Sequence, residues 1–178
     1  MISLSFIEMN SWKRSPVFKK WETNVNKYKK NKEKRQTLKK RSDKDMCSKG
    51  DFCNGAKDIP RKLMPQIYDA VAFAKKIKRK YNVDSELTKA SMGDYKPSHN
   101  EINKDRVESV IADIKNKKLG NNPLVVSEDH YIIDGHHRWA AYKKYNPHKP
   151  IPVLIIKKPV REALGLAIAV STNREHFG

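Results

Sequence analysis

Cysteine is scarce in this chain, and its two positions exclude most cysteine chemistry. Only Cys47 and Cys53 occur among 178 residues. Their spacing suits neither a zinc knuckle nor a redox pair, and the chain has no second ligand pair. We therefore predict reduced thiols, which are typical of an intracellular protein.

Long hydrophobic runs are missing as well. Residues 1–7 lack the basic lead and the long apolar region of a secretory signal. No run approaches the length that spans a membrane. These patterns predict a cytoplasmic protein without membrane contact, and 178 residues suffice for one domain to bury a core.

Acidic residues are also few, because 20 Asp and Glu stand against 38 Lys and Arg and the net charge is +18. Such a charge favours a polyanion as partner, and we predict nucleic acid (DNA). A solvated lysine-rich surface would give the same count. Lysine is the commoner cation, and it contacts phosphates without distinguishing bases.

A basic helix is predicted near the N-terminus. Phe18, Trp21, Val25 and Tyr28 recur at helical spacing and form a narrow apolar stripe. The stripe predicts docking either on the core or on another subunit of a homodimer. A solvated helix or tail would carry the same charge. The residues predicted to contact nucleic-acid phosphates are Lys29, Lys30, Lys32, Arg35, Lys39, Lys40 and Arg41.

Two units are predicted, a basic helical extension with a loop at 1–58 and a domain at 59–178. A second helix is predicted to open within residues 59–67, with Pro65 in its first turn. Its buried face is predicted to contain Leu63, Ile67, Val71, Ala74 and Ile77.

The remaining chain alternates strands and helices, which predicts an α/β (α+β) fold. Asn103 is a plausible cap for a helix. Residues 123–126 and 131–133 predict a hairpin, and residues 151–156 a buried strand. Pro152 indicates that this last strand starts near an edge of the sheet. Residues 160–170 predict a helix that packs back onto the sheet.

The most informative stretch follows the hairpin, where Asp134 and Gly135 precede His136, His137 and Arg138 at the start of a helix. Gly135 allows a sharp turn and close approach of a ligand. Unpaired N–H groups and the positive end of the helix dipole would face that gap and attract phosphate. Both histidines and the arginine add donors. A turn that merely starts a helix would have the same spacing.

Asp134 to Arg138 with the lysine-rich helix that follows resembles the ParB/sulfiredoxin superfamily, and is most similar to its nucleotide-dependent free-serine kinases. The resemblance covers residues 92–157. It implies a ParB/sulfiredoxin-like domain with a small mixed sheet flanked by helices. It also implies ATP or ADP bound at residues 134–138, and Mg²⁺ held through water by Asp134.

A second likeness concerns the biological origin of the protein. Arg61 and residues 64–67 are similar to a segment that precedes ParB-like domains in bacteriophage proteins. This likeness implies a phage protein that acts in the host cytoplasm.

The resemblance also implies catalytic residues. The serine kinases place a glutamate just after the Lys-Pro of a turn, where it activates the substrate hydroxyl. Here Lys96 and Pro97 are followed by His99 at that place and by Glu101 two residues later. Either side chain can accept a proton, and we favour Glu101. Asp134 would orient the hydroxyl. The alternative is that the Glu101 carboxylate only stabilises the start of the helix through the positive end of the helix dipole.

Other activities of the superfamily fit the residues less well. His136 stands where sulfiredoxin has its catalytic cysteine, which argues against a sulfinic acid reductase. The arginine-rich box and helix-turn-helix of partition proteins have no counterpart after Lys157. Two classes remain: a phosphotransferase that acts on a hydroxyl of a small molecule or nucleic acid, and a ParB-like DNA-binding protein or nuclease.

Overall fold

The computed structural model describes residues 10–35, 43–48 and 50–170, with only the backbone of 32–35. Within these segments it contains five α-helices, two 3-10 turns and five strands. The helices are α1 Pro16–Arg35, α2 Ala70–Tyr81, α3 Lys104–Lys115, α4 His136–Tyr145 and α5 Val160–Val170. The strands are β1 Ser85–Ala90, β2 Lys96–Pro97, β3 Leu124–Ser127, β4 Tyr131–Asp134 and β5 Ile151–Ile156. The predicted α/β (α+β) class is confirmed.

The five strands form one mixed sheet in the order β1-β5-β3-β4-β2. Strands β3 and β4 pair antiparallel as the predicted hairpin, whereas β3 and β5 pair in parallel. The prediction that β5 starts near an edge is wrong, because β1 covers its outer side. Pro152 is tolerated because the ladder with β3 begins only at Val153.

Both faces of the sheet are covered by helices. Helices α1, α2 and α5 share one hydrophobic cluster with strands β3, β4 and β5. Helices α3 and α4, with residues 46–53, form a second cluster on the sheet. Burial on both sides explains why β3 is buried along its whole length instead of alternating.

The stripe on α1 docks on the core, which was one of its two predicted partners. Phe18, Trp21 and Val25 are buried, and the Trp21 indole donates to the Leu63 carbonyl at 2.7 Å. Gly165 of α5 makes room for this contact, since an added Cβ would lie 2.6 Å from the Phe18 ring. The division between residues 1–58 and 59–178 stays a prediction.

The second helix begins later than predicted. Residues 64–69 run without regular structure, and α2 starts at Ala70 after Asp69, whose carboxyl accepts the Ala72 N–H at 2.9 Å. Pro65 does not open the helix, because residues 65–69 are not helical. Most of the predicted buried face is confirmed, since Leu63, Ile67 and Ile77 are buried, but Val71 is 46% exposed. Phe73 and Tyr81 complete the buried face of α2.

The two cysteines form a disulfide, so the prediction of reduced thiols is wrong. Turns between residues 43 and 55 bring the Cα atoms of Cys47 and Cys53 to 5.2 Å. The closed loop packs on α4, where the Phe52 ring lies 5.5 Å from Trp139 and the Lys143 ammonium donates to the Phe52 carbonyl. The argument for an intracellular location from free thiols therefore fails.

The disulfide loop also holds the turn before α3. The Met46 N–H donates to the Ile102 carbonyl at 2.8 Å, and the Asp45 carboxyl accepts the Ile102 N–H at 3.1 Å. Just after the loop, the Ile59 N–H donates to the Ser98 carbonyl at 3.2 Å. Residues 98–103 are therefore fixed by tertiary hydrogen bonds.

Removing the disulfide is expected to lower the free energy of unfolding by about 2 kcal/mol, because the unfolded chain gains the freedom of a short closed loop. The Cys47→Ser/Cys53→Ser variant should melt at a lower temperature than the oxidised protein. Adding reductant should lower the melting temperature of the native protein and leave that of the variant unchanged. Equal melting temperatures in all samples would contradict this prediction.

In the part of the chain that the structure describes, no helix is long and apolar enough to cross a membrane. A location in the cytoplasm stays a prediction.

Candidate functional site

The predicted phosphate-binding turn lies where β4 ends and α4 begins. Gly135 has φ +93°, and a Cβ added there would lie 2.1 Å from Leu124 Cδ2. Glycine is therefore required for both conformation and space. Among the described residues no side chain caps the start of α4, so its first N–H groups lack a side-chain partner.

A pocket of about 330 Å³ opens at this turn. All five motif residues, 134–138, line it together with His99. Glu101 does not belong to the lining. Its side chain is exposed, and its backbone N–H donates to His99 Nδ1 at 3.3 Å. The fold thus joins two of the three predicted catalytic residues in one cavity.

The remaining walls come from residues that the sequence did not connect with the site. Arg61 and residues 64–68 form one wall, and Arg106 from α3 lies on another. The sequence connected residues 64–67 with a helix start and with a likeness to phage proteins, and with no binding site. No spacing signal marks Arg106, because only the packing of α3 against α4 brings it here.

Each histidine of the pocket uses one ring nitrogen to accept a backbone N–H. His136 Nε2 accepts from Ser98 and His137 Nε2 accepts from Asn103, both at 3.3 Å. His99 Nδ1 accepts from Glu101. In a neutral imidazole the other nitrogen then carries the proton. The three rings can therefore act as donors to an anion.

The three histidines of the pocket are neutral near pH 7. Burial, then the charge of His137 and of Arg61, lowers the pKa of His99 to about 3. Burial, followed by the charges of two arginines, lowers the pKa of His137 to about 4. The pKa of His136 is also well below its ordinary value, chiefly because the ring is buried. His99 is consequently a weak base in this environment.

The pKa of Asp134 is shifted upward, whereas the pKa values of the three histidines are lowered. Burial raises the pKa of its carboxyl to about 6, although the Arg138 charge and the backbone N–H groups of Gly135 and Ile67 favour the ionised form. A carboxyl that titrates just below neutral pH is suited to accept a proton from a hydroxyl. Asp134 is the single acidic residue among the described residues that line the pocket.

Arg138 is partly engaged by the protein itself. Its guanidinium donates to the carbonyls of Asn122 and Pro123 in the loop before β3. Because arginine has five N–H donors, these two bonds leave others for a ligand. A contact between Arg138 and a phosphate therefore requires the donors that face the pocket.

A magnesium site made by the protein alone is not found. Within the described residues, no group of three or more His, Cys, Asp or Glu is arranged to hold a metal ion. Magnesium commonly keeps several waters and binds one or two carboxylates plus substrate phosphates. Asp134 is compatible with that mode, and Mg²⁺ stays a prediction.

The residues predicted to contact nucleic acid are only partly described. Lys29 and Lys30 are exposed on α1. Lys32 and Arg35 belong to the same helix, but their side chains are not among those described. Lys39, Lys40 and Arg41 lie outside the described residues.

Comparison with known proteins gives one kind of relative. No family model matches the chain, and no solved structure matches it. A 63-residue stretch is 32% identical to an ATP-dependent L-serine kinase of Staphylothermus marinus. The stretch covers 33% of this chain and 25% of that protein. Over about a third of its length, the chain is thus a weak homologue of a kinase that uses ATP.

Proposed function

We propose that the protein is a phosphotransferase that moves a phosphoryl group from ATP or ADP to a hydroxyl. The pocket carries the proposal: a buried carboxyl with a pKa of about 6 lies at an uncapped helix start, in a cavity lined by three arginines. The homology to an ATP-dependent kinase supports it.

Nucleotide phosphates would bind at the start of α4. The uncapped N–H groups and the positive end of the helix dipole favour an anion there. The Arg138 guanidinium would neutralise charge that develops on the transferred group. Gly135 keeps the approach free of a side chain.

The transfer itself needs a base beside the acceptor. The acceptor oxygen attacks the terminal phosphorus, and the bond to the bridging oxygen breaks with its electron pair leaving on the shortened nucleotide. The hydroxyl proton passes to the Asp134 carboxylate. Magnesium, held by the nucleotide phosphates and through water by Asp134, would supply further positive charge. Glu101 remains a second candidate base.

A ParB-like DNA-binding protein or nuclease is the alternative function. The net charge of +18 and the exposed Lys29 and Lys30 favour contact with a nucleic-acid backbone. A nucleic acid could also be the acceptor of the phosphoryl group. DNA binding without kinase activity predicts a steep salt dependence and little preference among nucleotides.

Nucleotide binding is expected to depend on Arg138. Calorimetric titration with ATP, ADP and CTP in the presence of Mg²⁺ should give saturable binding of at least one nucleotide. Arg138→Ala should weaken that binding about 10- to 100-fold, since a charged hydrogen bond is lost from a partly buried site. A label on the terminal phosphate of that nucleotide should then appear on a hydroxyl acceptor.

Arg79→Ala is the matched control, because Arg79 is exposed in the last turn of α2 and does not line the pocket. It should leave nucleotide affinity unchanged. Melting curves of both variants show whether the lost carbonyl contacts of Arg138 disturb the fold. Absence of binding by any nucleotide, together with salt-dependent retention of DNA, would refute the proposal in favour of the alternative.

A further inference from the structure

Among the described residues, two arginines of the pocket have no protein partner. Arg61 and Arg106 line it, and neither guanidinium forms an ion pair or hydrogen bond within the part of the chain that the structure describes. Single unpaired arginines are ordinary on a basic protein. Two that converge on a cavity with one acidic residue concentrate positive charge where a ligand would sit.

These arginines act on a different part of the pocket from Arg138. The charge of Arg138 falls on Asp134, beside the start of α4. The charges of Arg61 and Arg106 fall on His137 and, after burial, contribute to its lowered pKa. The cavity therefore has one cation beside Asp134 and two cations beside the histidines.

Arg106 adds positive charge to the start of α3, where Asp105 is the acidic residue and pairs with Lys44 at 2.7 Å. Arg106 lies in the first turn of α3, at the positive end of the helix dipole, where acidic residues are preferred. The helix cap, Asn103, donates its backbone N–H to His137 Nε2 at 3.3 Å, so the start of α3 meets the start of α4. Two helix starts and two cations repel each other there and attract an anion.

We propose that Arg61 and Arg106, beside His137, form a second anion subsite, which binds the phosphate or carboxylate of the acceptor while the nucleotide phosphates bind at Gly135 and Arg138. The inference rests on the proposed phosphotransferase function. It names the substrate class as a small hydroxyl compound that carries its own phosphate or carboxylate.

The described lining also disfavours an ammonium group on the acceptor. Asp134 is the one acidic residue described in the lining, and its charge is matched by Arg138. No carboxylate remains in the subsite to pair with an ammonium group. An acceptor with net negative charge is therefore preferred over a zwitterion such as L-serine.

Titration with small anions tests the subsite. Inorganic phosphate and, separately, acetate are titrated into the full-length protein, with and without a saturating non-hydrolysable ATP analogue and Mg²⁺. One of these anions should bind in both conditions. Arg61→Ala and Arg106→Ala should each weaken its binding about 10-fold. Tighter binding of phosphate identifies a phosphate ester, and tighter binding of acetate identifies a carboxylate.

The controls separate charge from shape. Arg106→Lys keeps the charge and should restore part of the affinity, while Arg79→Ala should change nothing. Arg61→Ala and Arg106→Ala both replace exposed side chains. Each should keep the affinity for the ATP analogue within about threefold, because neither arginine is proposed to bond to the nucleotide. Arg138→Ala should show the reverse pattern.

Three results would overturn the second subsite: displacement of the anion by the ATP analogue, binding that survives in Arg61→Ala/Arg106→Ala, or no saturable binding of either anion. A different result would refute the phosphotransferase alone. In that case no nucleotide binds, yet anion binding still depends on Arg61 and Arg106.

Discussion

Replacing Asp134 by asparagine is expected to abolish phosphoryl transfer while making the protein more stable at neutral pH. Loss of the base should lower kcat by about 100-fold or more, since general base catalysis contributes roughly 10²- to 10⁴-fold. Stability should rise because the ionised carboxyl is buried and Arg138 compensates only part of that cost. A residue that is needed for turnover and harmful to stability is the signature of a functional site.

The raised pKa of Asp134 determines how its contribution to the free energy of unfolding changes with pH. Burial raises the pKa of Asp134 from 3.8 to about 6. Between these values the folded protein binds more protons than the unfolded chain, so this carboxyl costs stability as pH rises through the window. The full cost, on the order of 3 kcal/mol, is reached above pH 6. Asp134→Asn should therefore melt several degrees higher than the native protein at pH 7.5 and at a similar temperature at pH 4.

Two further variants make the result specific. Asp94→Asn removes an exposed carboxylate outside the pocket and should change neither kcat nor melting temperature. Glu101→Gln tests the other candidate base. If Glu101→Gln removes turnover and Asp134→Asn does not, the proton acceptor has been assigned to the wrong carboxylate. In native protein, kcat should rise with pH around 6 if Asp134 is the base.

Replacing Gly135 by alanine is expected to destabilise the fold by about 2 to 5 kcal/mol. The positive φ strains any residue with a side chain, and the new Cβ would lie 2.1 Å from Leu124 Cδ2. Leu124 is 1% exposed, so its side chain has little room to move. Thermal unfolding should shift down by roughly 10 °C, and nucleotide binding should be lost with the turn.

Gly120→Ala is the control for this prediction, because a Cβ there meets no atom within 4 Å. It should leave the melting temperature nearly unchanged. The contact with Leu124 can be tested separately: in Gly135→Ala/Leu124→Ala the two destabilising effects should be less than additive, since the clash is removed. An unchanged melting temperature for Gly135→Ala would contradict the described turn.

Local patterns predicted much of the fold. Alternating and β-branched residues indicated β3, β4 and β5, and Asn103 was identified as a cap, with its side chain accepting the Arg106 N–H at 3.0 Å. These signals depend on neighbours in sequence, which is why they succeeded. Prediction failed for the start of α2, where Pro65 resembled a first-turn proline. Residues 64–69 instead contact other parts of the chain: the Ile67 N–H donates to the Asp134 carboxyl, and the Tyr68 carbonyl accepts from Asn122.

The site was predicted in part for the same reason. Residues 134–138 are contiguous, so a strand, a glycine and a helix start could be inferred together. The pairing of Cys47 with Cys53 was missed because it depends on turns that their spacing does not specify.

The sequence by itself determined the fold class, the strand–glycine–helix turn at residues 134–138 and the stripe that docks α1, because each depends on a few neighbouring residues of the chain. Only the tertiary structure decided what surrounds that turn. It placed Arg61 and Arg106 in the pocket and left Glu101 outside its lining. Burial then separated the protonation behaviour of Asp134 from that of the histidines, since the cost of removing a charge from water depends on the packed environment.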